Sequence, residues 1–360
     1  MINKKSNIPL YIQLSDEIRE QIKSGKIKEG DKLLSEPEMV QKYGVARLTV
    51  RDALSILVNE GLLEKHHGKG TFCRKNVFLN RYRVDILLDL SDVYFIPYYM
   101  RSICAELEKK NVNIVMSDTK NNISAIEDHI ERILDEGSNG VIFQPTNSTD
   151  TASDKLVYLL NQLTERCIPY VMIDTYYKNA GESYVIMDEY MTGKIAADYF
   201  MRMGHTSLCA IMEENRIDSI QRVSGFCDTL VQKPKIITNG KNLSDSIKSL
   251  LNTDITGIFC YHDGIAKKCY EILNNLGVTV GEQISVVSVD DTIISQTLSP
   301  PLTSIIHPKE HLGREAAKAI LSMVSAQEKW PYKKIFYPSL AIRKSCVDLN
   351  NKKVYEGSLK

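Results

Sequence analysis

No apolar run in this chain approaches the ~18 residues of a membrane-crossing helix, and its Lys- and Asn-rich start lacks the apolar core of a secretion signal. A soluble, cytoplasmic protein with no membrane partner is therefore expected. The eight cysteines include no Cys-x-x-Cys pair and sit mostly in apolar contexts, which argues for buried reduced thiols rather than a disulfide framework. No His/Cys cluster has metal-ligand spacing. No Gly-x-x-x-x-Gly-Lys-[Ser/Thr] run occurs, and no Gly-x-Gly-x-x-Gly follows the first expected body strand. No metal, cofactor or enzymatic activity is expected. Net charge is lacking too, with 45 Lys and Arg against 45 Asp and Glu.

That balance is uneven. Residues 1–77 hold 14 Lys/Arg and 10 Asp/Glu, a net of +4, so the remainder carries −4. A modestly basic head on an acidic body fits nucleic-acid contact at one end. The length of 360 residues suggests two or three domains, and 43% hydrophobic with 25% charged residues is ordinary for a globular protein.

In the head, Tyr11, Leu14, Ile18 and Ile22 recur at helical spacing and predict a helix over 9–24. Ser35 with Glu38 makes a capping box for a second helix, with Pro37 in its first turn. Gly44 supplies a turn, and a third helix runs over 47–60, with Val50, Leu54, Leu57 and Val58 on its buried side. Arg47, Thr49 and Arg51 then fall near the opposite side of its first turn. That arrangement carries hydrogen-bond donors into a DNA major groove. Two short strands around His67-Gly68-Lys69-Gly70 form a hairpin with a small, cationic tip.

This head resembles the winged helix-turn-helix of the GntR family over nearly all of residues 8–74. The matching runs are Pro9-Leu10-Tyr11-x-Gln13, Gly30-Asp31-Lys32-Leu33, Ser35-Glu36, Tyr43-Gly44-Val45, Arg47-x-Thr49-Val50-Arg51-x-Ala53-Leu54, Glu60-Gly61 and Gly68-x-Gly70-Thr71-Phe72. The resemblance implies a site on double-stranded operator DNA made by Tyr11, Ser35, Glu36, Arg47, Thr49 and Arg51. It places the wing residues His67, Gly68, Lys69 and Gly70 in the minor groove. Ala46 stands where a capping serine is usual, a loss of about 1 kcal/mol.

Residues 75–82 read as a polar linker. Beyond it, strands are expected over 84–90, 113–118, 140–144, 169–174, 184–188, 208–212, 236–237, 257–261 and 285–289. Helices are expected around 97–110, 124–136, 154–166, 192–203, 217–232, 244–251 and 264–276. Repeated strand–helix units imply two parallel-sheet lobes, with a ligand in the cleft at the strand ends. Asp174, Asp188, His262-Asp263 and Asp290-Asp291 stand at such ends, and Arg222 lies on a helix after a strand. Carboxylates, a guanidinium and an imidazole together can satisfy several sugar hydroxyls. Tyr94, Phe95, Tyr176, Tyr177 and Tyr261 could pack on a pyranose face. An acid at a strand end serves equally well as a cap for the following helix.

The body resembles the LacI/GalR and periplasmic sugar-binding fold over about 260 residues. The matching runs include Arg222-x-x-Gly225-Phe226, Asp263-x-x-Ala266, Ile284-Ser285-Val286-Val287-x-Val289-Asp290-Asp291-Thr292 and Pro301-Leu302-Thr303-Ser304-Ile305. By resemblance, Arg222, Asp290 and Asp174 hydrogen-bond the effector, and Asp218, His262 and His307 fall at pocket positions. Tyr94, Phe95, Asp188 and Asp263 complete the expected site. The fold class is thus α/β, an N-terminal winged helix-turn-helix (1–74) plus a periplasmic-binding-protein-like two-lobed α/β domain (83–350) for effector binding and dimerisation. Crossovers between lobes are expected near Asp188, at 305–308 and at Trp330-Pro331.

A GntR head on a LacI-type body resembles the arabinose-responsive repressors of Gram-positive bacteria, also in Gly140-Val141-Ile142-x-x-Pro145-Thr146, Ile305-x-His307-Pro308-Lys309 and Leu312-Gly313-x-x-Ala316-Ala317-Lys318. This implies a homodimeric repressor released from its operator by a small sugar, with L-arabinose expected. An activator, or a sensor of another pentose, sugar derivative or nucleoside, stays open as the alternative.

Overall fold

A computed structural model describes residues 9–23, 26–28, 30–66, 69–74, 82–91, 94–110, 112–148, 150–181, 183–325 and 331–350. The chain divides into two units, Met1–Tyr82 and Arg83–Lys360.

The head unit contains α1 (Leu10–Lys23), α2 (Glu36–Tyr43), α3 (Arg47–Asn59), β1 (Leu63–His66) and β2 (Gly70–Cys73). One apolar stripe from each helix builds its core. Leu14, Ile18 and Ile22 of α1 meet Met39 of α2 and Val50, Leu54 and Leu57 of α3. The α2–α3 turn depends on Gly44, whose φ of 63° is left-handed and whose N–H donates to the Val40 carbonyl. Before α2, the Glu38 carboxylate accepts the Ser35 N–H at 2.7 Å, as the capping box requires. No side chain caps α3 at Ala46. β1 and β2 pair antiparallel, and Lys32 bridges to Phe72 on the other side of β2. His67 and Gly68 lie outside the described residues, as do 75–81 of the expected linker.

The first lobe of the body comprises β3 (Arg83–Leu88), α4 (Ile96–Glu108), β4 (Asn113–Asp118), α5 (Ile123–Glu136), β5 (Gly140–Phe143), α6 (Asp154–Glu165), β6 (Tyr170–Asp174) and β7 (Tyr184–Met187). The second comprises α7 (Glu189–Arg202), β8 (Leu208–Met212), α8 (Ile217–Thr229), β9 (Lys235–Thr238), α9 (Leu243–Leu250), β10 (Gly257–Cys260), α10 (Asp263–Asn275), β11 (Ser285–Val289), α11 (Ile293–Thr297) and β12 (Thr303–Ile306). The chain then returns to the first lobe for α12 (Lys309–Val324) and β13 (Lys333–Phe336), and ends with β14 (Ser339–Ala341) in the second. The sheet orders are β13-β7-β6-β5-β3-β4 and β14-β12-β11-β10-β8-β9. All pairs in them are parallel except β12–β14. Parallel strands covered on both faces are mostly apolar, and in β11 Val286, Val287 and Val289 are fully buried while the buried Ser285 and Ser288 hydroxyls are hydrogen-bonded.

Two features differ from the sequence reading. The third crossover lies at Tyr337–Pro338, after β13 rather than before it, because β13 pairs with β7 of the first lobe before β14 joins β12; Trp330 of the expected crossover lies outside the described residues. Helices α11 and α12 and strands β12 to β14 are additional. Helix α12 sits in the first lobe, where Leu312, Ala316 and Ile320 pack with Val84, Ile86, Tyr99 and Ile103. Among the described residues no helix is long and apolar enough to cross a membrane.

Candidate functional site

Two places in the chain gather functional groups. On the head, Arg47 and Arg51 lie one turn apart on α3 with side chains 66% and 59% exposed. Both donate through Nε to the Glu36 carboxylate of α2, at 3.0 and 3.2 Å. The bonds from Arg47 and then Arg51 hold Glu36 below its ordinary carboxyl range. One acid thus orients two guanidiniums without burying either. Thr49 is half-buried beside them, and Ser35, Tyr11 and Lys69 are exposed. Gly70 has φ 115°, a backbone conformation that residues with a Cβ rarely adopt, so this strand start favours glycine. The sequence reading missed Leu48. It is 69% exposed between the arginines, and its signal was an apolar residue on the polar side of an amphipathic helix.

In the body, the strand ends enclose a cavity of about 280 Å³ between the lobes. Its second-lobe wall is built on an unusually close helix pair. A Cβ on Gly193 of α7 would lie 1.9 Å from the Arg222 carbonyl, and one on Gly225 of α8 would lie 1.9 Å from that of Tyr190. This contact sets Glu189 of α7 against Arg222 of α8. Arg222 Nε and Nη2 donate to the two Glu189 oxygens at 2.6 and 3.1 Å, and Nη1 donates to the Tyr261 carbonyl at 2.8 Å. Burial opposes the Arg222 charge, but Glu189 and Asp290 hold its pKa well above the ordinary value. Burial raises the Glu189 pKa, and Arg222 only partly reverses this. Asp218 accepts from Arg216 at 2.8 Å and from the Tyr261 hydroxyl at 2.6 Å.

The opposing wall centres on Asp174. It accepts from Tyr99 Oη at 2.9 Å, His307 Nε2 at 3.1 Å and Gln144 Nε2 at 3.0 Å. Burial alone would raise this carboxyl, yet the His307 bond and its companions hold it well below the usual range. Phe95 stands edge-on to His307 with centroids 4.9 Å apart. Asp174 and Asp290 both have left-handed backbones, with φ 76° and 102°. Such residues cost ~1–3 kcal/mol each and persist where their surroundings enforce them.

The charged groups of the cavity are mostly paired with one another. Its cations are committed: Lys178 to Asp150 at 2.6 Å, Arg216 to Asp218, and Arg222 to Glu189. Among the described residues, the buried side-chain atoms left without a hydrogen bond are Asp290 Oδ1 and His307 Nδ1, which line the cavity, and Gln144 Oε1, which does not. His307 Nε2 pairs with the Asp174 carboxylate, and its Nδ1 is left without a hydrogen bond. The Asp290 and Gln144 oxygens are acceptors, each costing roughly 1–3 kcal/mol while it lacks a donor.

Tyr94, Phe95, Asp174, Asp218, Arg222, His262, Asp263, Asp290 and His307 all line the cavity. Asp188 is outside this lining. Its carboxylate caps α7, accepting the Met191 N–H at 2.8 Å, because a strand-end acid meets the next helix first. Tyr177 is also turned away, fully buried in the first lobe with its hydroxyl bonded to Thr146. His262 caps α10 through Nδ1, leaving Nε2 as a donor. Asp263 is saturated by Ser288, Thr292 and Ser304, and burial together with the Asp290 charge pushes it up to about 6. Glu189, Arg216 and Gln144 were not singled out from sequence. A glutamate in a helix's first turn reads as a solvated charge until its partner is known. Among the described residues no His/Cys/Asp/Glu group could hold a metal ion.

Comparison with known proteins places both regions. The gntR family of bacterial regulatory proteins matches residues 10–73, and the periplasmic binding protein-like domain matches 197–346. The chain is 30% identical to an arabinose metabolism transcriptional repressor of Halalkalibacterium halodurans, over 93% of this chain and 97% of that protein. It is 27% identical to one from Geobacillus stearothermophilus, over 96% of this chain and all of that protein. A LacI family transcriptional regulator from Enterococcus faecalis, solved with bound ribose, has the same fold over 74% of this chain and 99% of its own, with a TM-score of 0.62 at 21% identity.

Proposed function

Because this chain belongs to the family of arabinose-type transcriptional repressors, with a GntR-type DNA-binding head and a LacI-type periplasmic-binding-protein-like body, we propose that the interlobe cleft is its effector site and L-arabinose its effector. The class is non-enzymatic. The observation that carries the reading is the buried Asp290 Oδ1, which has the Arg222 guanidinium 3.8 Å away but accepts no hydrogen bond, in a cavity whose cations are already neutralised. Such a site wants hydrogen-bond donors and no added negative charge. A neutral polyol supplies them, and a sugar phosphate does not. The volume lies near the lower end of ligand pockets, about 300–1,000 Å³, which suits a pentose. The ribose of the Enterococcus structure and the arabinose in the relatives' names support the same class.

The repressor acts in this reading as a cytoplasmic homodimer on a near-palindromic operator, since one winged helix offers little surface and two-fold symmetry doubles it. Arg47 and Arg51 read the major groove, Thr49 and Glu36 support them, and the wing enters the minor groove. The Asn147 carbonyl of the first lobe accepts the Ile217 N–H of the second at 3.1 Å, so the lobes already touch across the cleft. Sugar between them stabilises closure, changes the spacing of the two heads, and releases DNA. Driving a strongly biased equilibrium takes about 5 kcal/mol of differential affinity.

Thermal shift of the pure protein with L-arabinose, D-xylose, D-ribose, a sugar phosphate and a nucleoside tests the assignment, followed by gel-shift release from the operator. L-arabinose should give the largest shift and release DNA. Stabilisation by the phosphate alone would refute the charge argument.

A further inference from the structure

Lys309 has no part in the cleft chemistry above. It opens α12 and is only 7% exposed. Its ammonium donates to the Asp290 carbonyl and, at 3.5 Å, to the His307 carbonyl. It also lies 5.2 Å from the centroid of the Phe95 ring and 5.7 Å from that of Tyr98. These partners come from both lobes. Asp290 follows β11 in the second, Phe95 and Tyr98 stand at the N-cap and in the first turn of α4 in the first, and His307 is in the crossover itself.

The contact matters because of what Asp290 needs. Its φ of 102° is rare for any residue but glycine. The Ile305 carbonyl accepts its N–H at 2.8 Å, and Lys309 binds its carbonyl. Both backbone polar atoms are thus held by the second crossover and the residues beside it. The carboxylate is left facing Arg222 with Oδ1 accepting no hydrogen bond. A relaxed, extended Asp290 would turn that carboxylate elsewhere.

We propose that Lys309 is a positioning residue that aims Asp290 into the cleft and couples effector binding to the arrangement of the lobes. The inference rests on the cleft being the effector site. A single ammonium bonded to a carbonyl of one lobe and resting on aromatic faces of the other keeps both sets of contacts only in one lobe arrangement. Opening strains one set, and closing restores both. A ligand that binds Asp290 therefore favours the arrangement that Lys309 also favours, which is the differential interaction that a switch requires.

The test uses the full-length protein and its operator, with Lys309→Met and Lys309→Arg. Methionine keeps the length and apolar stem but donates no hydrogen bond. Arginine keeps the donors and the cation–π contact. Lys309→Met should bind operator with wild-type affinity, yet bind L-arabinose about tenfold more weakly by calorimetry and need correspondingly more of it for release. Lys309→Arg should recover most of the response. In a double-mutant cycle, Lys309→Met should add little to the loss caused by Asp290→Asn, since the lysine acts through that residue. A wild-type protein that no sugar stabilises would overturn the reading of the cleft and this assignment with it. A wild-type response retained in Lys309→Met, a defect that arginine fails to repair, or losses that multiply with Asp290→Asn would each overturn the assignment alone.

Discussion

Arginine paired with glutamate occurs in both halves of this protein, and the two pairings behave as opposites. On the head, Arg47 and Arg51 share Glu36 while remaining 66% and 59% exposed. In the body, Arg222 is 4% exposed and held at two points by an equally buried Glu189. Exposed pairs are worth little and exchange partners readily. In the role proposed for Arg47 and Arg51, a guanidinium that trades a carboxylate for a base edge or phosphate needs that looseness. A buried pair is expensive to break, because the abandoned charge has no water to turn to. A guanidinium that must hold the shape of a binding cleft needs that rigidity.

The largest expected effect tests the rigid side. Arg222→Ala strands Glu189 in the core and should cost about 3–5 kcal/mol of body stability. The head's DNA surface is unaltered, so the variant should still bind operator while no sugar releases it. Gel shifts across a sugar titration check this, and release at the wild-type concentration would break the comparison.

Buried charge also predicts a pH effect. Burial and the Asp290 charge raise Asp263 from 3.8 to about 6, so the folded carboxyl holds its proton more tightly than the unfolded one. Its contribution is then full below pH ~4 and lost as pH rises to about 6, roughly 3 kcal/mol in all. Asp174 has the opposite sign, and its contribution is lost only as pH falls below its ordinary value. Melting temperatures taken between pH 4 and 6.5 should decline in the wild type and flatten in Asp263→Asn.

The loose side predicts smaller effects. Arg51→Ala, and nearly as much Arg47→Ala, should lose about 1–3 kcal/mol of operator specificity with sugar affinity unchanged. Added salt should weaken operator binding in the wild type but leave sugar affinity almost constant, as screening reaches exposed charges far more than buried ones. Wild-type affinity in both arginine variants would remove α3 from the interface. The smallest expected effect belongs to Leu48, whose exposed side chain suits a thymine methyl. Replacing a contacted thymine by uracil should weaken the wild type by about 0.8 kcal/mol and Leu48→Ala by nothing further. Equal weakening in both would place Leu48 away from the methyl group.

The head was almost wholly legible because its contacts are local. Helical periodicity, a capping box and Gly44 each act within a few residues, and α1 to α3 start and stop within a residue of the reading. The main strands and helices of the body up to β11 were legible for the same reason. Beyond them, β13 finds its partner β7 about 150 residues earlier, and its own four residues are largely exposed. No apolar alternation marked it, so the third crossover was misplaced. Asp188 and Asp290 show the same limit at the site. Both are acids after an apolar strand, yet one caps a helix and the other points an oxygen that accepts no hydrogen bond into the cleft.

What the sequence determined by itself was the class of each part: a helical head with two cations on one helical turn, and a body of alternating strands and helices with acids at strand ends. Backbone propensity and the periodicity of apolar residues act over a few positions, so they can be read in order along the chain. Only the tertiary structure decided which acids are spent on helix caps, that Glu189 locks Arg222, and that Lys309 reaches the Asp290 carbonyl. Those outcomes depend on the close approach at Gly193 and Gly225 and on the second crossover, which bring together groups 19 to 33 positions apart. Hydrogen bonds and burial act over ångströms in space, and the order of residues along a chain does not state those distances.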